Sequence, residues 1–496
     1  MLLILAINAV IVVVLVGIAT RKGLEAALPF FAFVVTLLPD ECRIQVPGLS
    51  LYAHRVALIV LTILFIKARK KTKGRTLPLK RLIVLHIVWA VASTLASIVV
   101  VTSFKQLLAQ VAEYYLLYYI VVMTITDVRT LSKICYAMIA AMAVCSVFGL
   151  LEIYQHWSVL SLFPAELQID YGTGGVFYSE MFDRGIRARS TFPHPILFGG
   201  ALAMVIPLVF YLLTTSSKGW SRKIFLNVSM FLMFWALYKT SSRGPWLATG
   251  FALFILTAAA ESRIRKRVLA VVVLAGLILV LRPGIADTLV NIYTATFDPN
   301  SMMGSSFQYR PVLYNTVKET LNDSPVRALL GFGLGSFREK GLVLKMPGIV
   351  AHRWYTCDSS WVLFWYETGY VGVLILGTLL LRPAFVALWG LRRLRRSDRY
   401  VSLVFLSSLA TFYIVMISVA IYGWGQDGHM LWTMIALSTS YTILKKEERR
   451  REKTPSAGNS LARPQQPVVL TPWPSVEDAE HAPGSRVWSR SRFENG

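Results

Sequence analysis

Apolar residues recur along this chain in uninterrupted stretches close to the ~20 residues that cross a hydrocarbon core, separated by short polar connectors. The pattern predicts membrane spans near 1 to 19, 25 to 39, 51 to 66, 82 to 102, 107 to 126 and 134 to 153. Seven more are expected near 194 to 214, 224 to 238, 245 to 260, 268 to 281, 359 to 381, 401 to 422 and 428 to 444. The stretches at 25 to 39 and 268 to 281 are short, so the reading is an all-α polytopic membrane protein of thirteen spans, or twelve if one of them re-enters.

Composition agrees. Of 496 residues, 55% are hydrophobic and 16% charged, and the mean hydropathy is +0.56. Length alone would suggest two to four water-soluble domains, but the apolar runs extend from end to end. The formal charge of +24 raises the question of nucleic acid. Its distribution answers against it: about two-thirds of the 51 basic residues fall in the connectors after odd-numbered spans and in the tail. Those are Arg21 and Lys22, the run Lys67 to Arg81, Arg129 and Lys133, Lys218 to Lys223, Arg263 to Arg267, Arg382 to Arg399, and the residues after 445. The charge is therefore topological. It puts that side, and the C-terminus, in the cytoplasm, and with thirteen spans the N-terminus outside. No cleavable signal peptide is evident before Arg21. Four cysteines match neither a zinc pattern nor a disulfide framework, leaving a Cys42 to Cys357 bridge as a minor option.

The expected organisation is a multispan domain over 1–445, with long outer loops at 154–193 and 283–358 and a disordered cytoplasmic tail over 446–496. Long loops without low complexity usually carry function. Tyr309 to Leu321 reads as an amphipathic helix stopped by Asn322-Asp323-Ser324-Pro325. The tail, rich in Pro, Ser, Gln and Gly, has the composition of disordered chain.

Candidate chemistry lies in the basic residues that break the inside bias. Arg184, Arg187 and Arg189 precede a span, Arg243 sits in the tight turn Thr240-Ser241-Ser242-Arg243-Gly244-Pro245, Arg310 opens the amphipathic helix, and Arg338 and Arg353 flank the later loop. Guanidinium forks at one outer interface suit a diphosphate, and a lipid-linked diphosphate is the natural candidate. The plainer alternative is that such arginines snorkel to headgroups, which Arg243, in its tight turn, escapes best. For acid or base work the same side offers His194, His352, Asp358 and Glu367. Each has a structural alternative: His194 starting a helix, His352 solvated, Asp358 capping a helix, and Glu367 pairing with an arginine inside a span. Gly331-Phe332-Gly333-Leu334-Gly335 lacks the strand and crossover helix of a nucleotide site and reads as a turn. No outer Asp-x-Asp pair or His-Glu-x-x-His motif is present, so metal-independent chemistry with no metal ligands and no cofactor is expected.

Four blocks in order resemble the O-antigen ligase and O-antigen polymerase superfamily. These are Arg187-Ala-Arg-Ser-Thr-Phe-Pro-His-Pro-Ile-Leu-Phe-Gly199, Thr240-Ser-Ser-Arg-Gly-Pro-Trp246, Tyr309-Arg310 continuing through Pro325 to Gly331–Phe337, and Asp358-Ser-Ser-Trp-Val-Leu-Phe-Trp-Tyr-Glu367-Thr-Gly369. The resemblance implies a GT-C-like glycosyltransferase of the bacterial inner membrane, working on its periplasmic face. Its donor would be a polyprenyl-diphosphate-linked glycan, and its acceptor a lipid A core, another lipid-linked repeat unit or a protein hydroxyl. Other polysaccharide-export proteins would be possible partners, and nucleic acid would not be one. Arg243 and Arg310 fall on the family's arginines, with Arg187 or Arg189 assisting and His194 and Arg338 as accessory residues. Where ligases carry a His-Asn pair, this chain has Asp358-Ser359, with His352 six residues earlier. The base is thus Asp358 or His352, with the acidic residue favouring a polymerase. The rival class is a glycan transporter or flippase, which would bind near the midplane and often show internal repeats. No repeat is visible in this sequence.

Overall fold

The computed structural model describes residues 1–46, 49–68, 77–168, 186–215, 219–259, 302–345, 352–390 and 396–453, and isolated positions between 265 and 294. The stretch predicted as a span at 268 to 281, Arg184, and most of the tail lie outside the described residues. So do parts of both long loops.

The architecture is a bundle of apolar helices. In chain order these are α1 (Leu2–Lys22), α2 (Leu24–Leu37), a hairpin of β1 (Arg43–Val46) and β2 (Leu49–Tyr52), α3 (Ala53–Ala68), α4 (Lys80–Leu95) and α5 (Val100–Gln110). A π-helical turn, Val111–Tyr115, joins α5 to α6 (Leu116–Thr124), followed by α7 (Val128–Tyr154), α8 (Pro195–Thr215), α9 (Trp220–Lys239) and α10 (Arg243–Ala259). Within the stretch expected as the second long loop lie α11 (Met302–Asn322), α12 (Pro325–Leu330), α13 (Ser336–Lys340) and the hairpin of β3 (Leu342–Leu344) and β4 (His352–Trp354). The series ends with α14 (Ser360–Gly390), α15 (Arg396–Ser418) and α16 (Gly425–Lys453). Residues 1–446 form one compact unit. Among the described residues, six helices are long and apolar enough to cross a membrane, which makes this an all-α polytopic membrane protein.

Position in the bundle follows from how apolarity is distributed around each helix. α8 is apolar on every side and almost wholly buried, so it forms the centre, against α10, α15, α9 and α7. α1 is equally apolar, but Leu2, Leu5, Val10 and Val13 are exposed, which marks it as a peripheral helix facing lipid.

α14 contains the one break that shapes the site. Gly369 adopts φ 69°, ψ −175°, a left-handed conformation that splits the helix. A break in a span leaves backbone groups without helical partners, and each must be satisfied within the protein. The carbonyl of Glu367 accepts from Gly333 N at 2.8 Å and Ser93 Oγ at 3.0 Å, that of Thr368 from Trp89 Nε1 at 3.1 Å, and that of Tyr366 from Phe332 N at 3.0 Å. The glycine-rich 331–335 segment is accordingly a turn laid on the break, with positive φ at Gly331, Gly333 and Gly335.

Several boundaries differ from the sequence reading: α14 continues to Gly390, and α16 runs to Lys453, into the stretch expected as tail. The run predicted as a span over 82 to 102 ends at Leu95, and the chain bends before restarting as α5 at Val100, where Ser97 and Ser103 bond to the carbonyls of Phe332 and Leu334. The helix expected over Tyr309 to Leu321 begins at Met302 and runs to Asn322.

Candidate functional site

The site begins at helix ends. Chain alternation puts the C-terminal ends of α2, α7, α9 and α15 on the same side of the bundle as the N-terminal ends of α3, α8, α10, α14 and α16. A cavity of about 920 Å³ opens there. Of the expected residues it is lined by Arg187, His194, Arg338, Asp358 and Glu367.

Asp358 precedes α14 and is half-buried. It does not cap that helix: Ser359 Oγ accepts from Val362 N at 3.4 Å and fills the capping role. Burial holds the Asp358 pKa above its ordinary 3.8, and the Arg310 guanidinium is close enough to oppose that rise. Arg310, on α11, donates from Nη2 to the Ser418 carbonyl at 3.2 Å, while its Nε is buried with no hydrogen-bond partner. Tyr309 beside it donates to the Thr356 carbonyl at 3.0 Å, which ties α11 to the segment carrying Asp358.

Arg243 opens α10 from a turn in which Ser241 takes φ 47°. The turn is held from outside. Arg187 donates from Nε to the Thr240 carbonyl at 2.9 Å and from Nη2 to Ser242 Oγ at 2.8 Å. A β-carbon at Gly244 would fall 2.6 Å from Ser418 Oγ, so the Arg243 turn and Arg310 abut the same residue. Arg189 turns away: its Nε lies 3.3 Å from Glu152 Oε1, and Arg189 N and Ser190 N both donate to Glu152 Oε2. It is not among the residues lining the cavity.

Glu367, two turns into α14, accepts a hydrogen bond from Gly335 N at 2.8 Å, so its buried carboxylate engages the glycine turn. His194 starts α8, its carbonyl accepting from Leu197 N and Phe198 N and its Nδ1 from Ile196 N at 3.1 Å. His352 sits in β4 opposite Leu344, and its side chain lies outside the described residues. All four cysteines are free and buried, so Cys42 and Cys357 are not bridged.

The cavity is also lined by Asp40, Tyr52, His54, Arg55 and Glu113, residues that sequence reading passed over. Arg55 Nη2 pairs with Glu113 Oε1 at 2.7 Å and stacks over Tyr52, 4.6 Å from the ring centroid. His54 lies parallel to Tyr52, with centroids 5.1 Å apart. Burial, aided by Glu41 and Glu113, raises the pKa of Asp40 from 3.8 to about 7. His54, Glu113 and His429 bring ligand atoms within 4.8 Å of one another from three separate helices, a convergence no local motif could reveal. The available signal was an ionisable residue inside an apolar run, which Glu113 and His429 both supply.

No curated protein matches the chain. A family model described as O-antigen ligase matches residues 228–377, a stretch that contains the Arg243 turn, Arg310, the glycine turn, Asp358 and Glu367. That match, over residues 228–377 of a helical membrane bundle, supports the O-antigen ligase and polymerase superfamily and, in general terms, a glycosyltransferase-like ligase or polymerase activity.

Proposed function

We propose that the protein transfers or polymerises a polyprenyl-diphosphate-linked oligosaccharide on the periplasmic face of the bacterial inner membrane. The observation that carries this reading is Asp358 on the cavity wall, under the electrostatic influence of Arg310 and with the capping role delegated to Ser359. Sidedness supports it: the helix ends that line the cavity are opposite those carrying the Lys67 to Arg81 and Arg129 to Lys133 charge.

The chemistry divides between a base and cations. Asp358 takes the proton of an acceptor hydroxyl as that oxygen bonds to the anomeric carbon of the donor sugar. The bond from that carbon to phosphate breaks, and polyprenyl diphosphate leaves with the electron pair. Arg310 and Arg243 hold the diphosphate, whose charge grows along the reaction, so they stabilise the transition state more than the bound donor. One displacement inverts the anomeric configuration. Arg187 acts through the turn it clamps. Arg189 orders the preceding segment with Glu152, and Glu367 is a positioning residue for the glycine turn. An acidic base in place of His-Asn favours a polymerase, whose acceptor is a second lipid-linked glycan.

Purified protein supplied with a polyprenyl-diphosphate oligosaccharide should release polyprenyl diphosphate and build longer glycan. Arg310→Ala and Arg243→Ala should each slow release by roughly 10²- to 10³-fold, the effect of deleting one donor to a developing anion. Full activity in both variants would remove the assigned roles. Capture of the glycan by a lipid A core without chain growth would make the protein a ligase.

A further inference from the structure

The wall opposite Asp358 poses an electrostatic problem that the proposed transfer does not use. His54 and His429 are buried, with ring centroids 4.5 Å apart. Each ring has its Nδ1 facing an acceptor. His429 Nδ1 lies 2.6 Å from the Gly425 carbonyl, and since a carbonyl can only accept, that nitrogen carries the proton. His54 Nδ1 faces Asp40 Oδ1 at 3.6 Å. The His429 Nε2 is then a lone pair, and the Nε2 atoms of both rings are buried without a hydrogen-bond partner. His54 Nε2 lies 4.0 Å from Glu113 Oε2. Two unpartnered imidazole nitrogens and a carboxylate oxygen thus converge within 4.8 Å of one another, buried polar atoms whose desolvation a bound cation would offset.

The surroundings hold further unsatisfied acceptors. Asp40, Glu41, Glu113 and Asp427 are all buried, and both Asp427 oxygens lack partners. The guanidiniums of Arg43 and Arg55 both act on Asp40. Arg55 engages only Oε1 of Glu113 and leaves Oε2 for another partner. Histidines that ligate metal through Nε2 are generally held by a carbonyl or carboxylate on Nδ1, which sets tautomer and orientation; His429 has that support from the Gly425 carbonyl, and Asp40 lies 3.6 Å from the Nδ1 of His54.

We infer that His54, Glu113 and His429 form a divalent transition-metal site of the zinc type, opening on the same cavity as Asp358. Two imidazole nitrogens and one carboxylate oxygen are a familiar ligand set for that ion, with water from the cavity completing it. Tetrahedral zinc with bonds of about 2.0–2.1 Å holds its ligands roughly 3.3 Å apart, so binding draws the three side chains together from their separation in this structure. Gly425 permits the approach: a β-carbon there would lie 2.6 Å from His54 Cε1. The site does not depend on the proposed glycan transfer, and its test does not read activity.

Full-length protein, purified in detergent without a histidine tag and stripped with chelator, is titrated with Co²⁺ and then Zn²⁺. One equivalent of Co²⁺ should give visible ligand-field bands that Zn²⁺ displaces. X-ray absorption of the zinc form should show a nitrogen and oxygen shell with imidazole scattering and no sulfur. His54→Gln and His429→Gln should each weaken binding at least tenfold, while His86→Gln, a buried histidine bonded to the Tyr115 hydroxyl, should not. Absence of the cobalt bands in the wild-type protein overturns the site whatever the variants do. A sulfur-containing or imidazole-free shell overturns it too, as does unchanged binding in folded His54→Gln and His429→Gln proteins.

Discussion

Glu367 Oε1 accepts a hydrogen bond of 2.8 Å from the amide of Gly335, joining a carboxylate inside a span to the backbone of a loop distant in sequence. The same turn is pinned by Gly333 N on the Glu367 carbonyl, so side chain and main chain of one residue hold the loop that ends beside Arg338. Removing the carboxylate leaves a buried donor unsatisfied. Glu367→Ala should cost about 1–3 kcal/mol, read as a lower thermal midpoint in detergent. Glu367→Gln keeps an acceptor and should recover most of that loss.

The helices were largely legible in the sequence because apolar length is a local property. α7, α8, α14 and α15 each appear as an uninterrupted run. What escaped depends on partners far along the chain: the break at Gly369, which packs on Leu329, and the restart at α5, fixed by contacts with the glycine turn. The same divide applies to the site. Asp358, Glu367 and Arg187 stood out as polar residues in unusual places, and the cavity contains all three. His54, Glu113 and His429 come from three helices far apart in sequence, and only tertiary packing brings them together.

Gly369 and Gly250 make a paired test of the break in α14. At Gly369 a β-carbon would sit 2.2 Å from the Leu329 carbonyl oxygen on a backbone with positive φ, whereas nothing lies within 4 Å at Gly250. Gly369→Ala should destabilise by about 3 kcal/mol or more, combining left-handed strain with collision. Gly250→Ala, in the interior of α10, should be neutral or slightly stabilising. Thermal unfolding of the two variants against wild type measures both.

Arg187 reaches two acceptors at once, the Thr240 carbonyl and Ser242 Oγ, and thereby fixes the turn that presents Arg243. A lysine keeps the charge but has no planar fork to span them. Arg187→Lys should therefore lose about 1–2 kcal/mol of stability and a tenfold or larger share of turnover, although the net charge is unchanged. Wild-type turnover in a folded Arg187→Lys protein would mean that charge alone matters at this position.

The pH dependence of turnover can distinguish Asp358 from His352 as the base. A base works only when deprotonated, so the rate falls as pH drops through its pKa. Burial raises the Asp358 pKa, which moves the acid limb above the ordinary value of 3.8, while Arg310 acts in the opposite sense and keeps the carboxylate ionised. Loss of that cation should therefore move the limb upward. Residual activity of Arg310→Gln should fail at a higher pH than wild type, and Asp358→Asn should abolish the limb together with at least about 10²-fold of the rate. His352→Gln should leave the profile where it was. If His352→Gln removes the limb and Asp358→Asn retains it, the proton goes to the β4 histidine, and Asp358 serves instead to orient the Arg310 guanidinium toward the diphosphate.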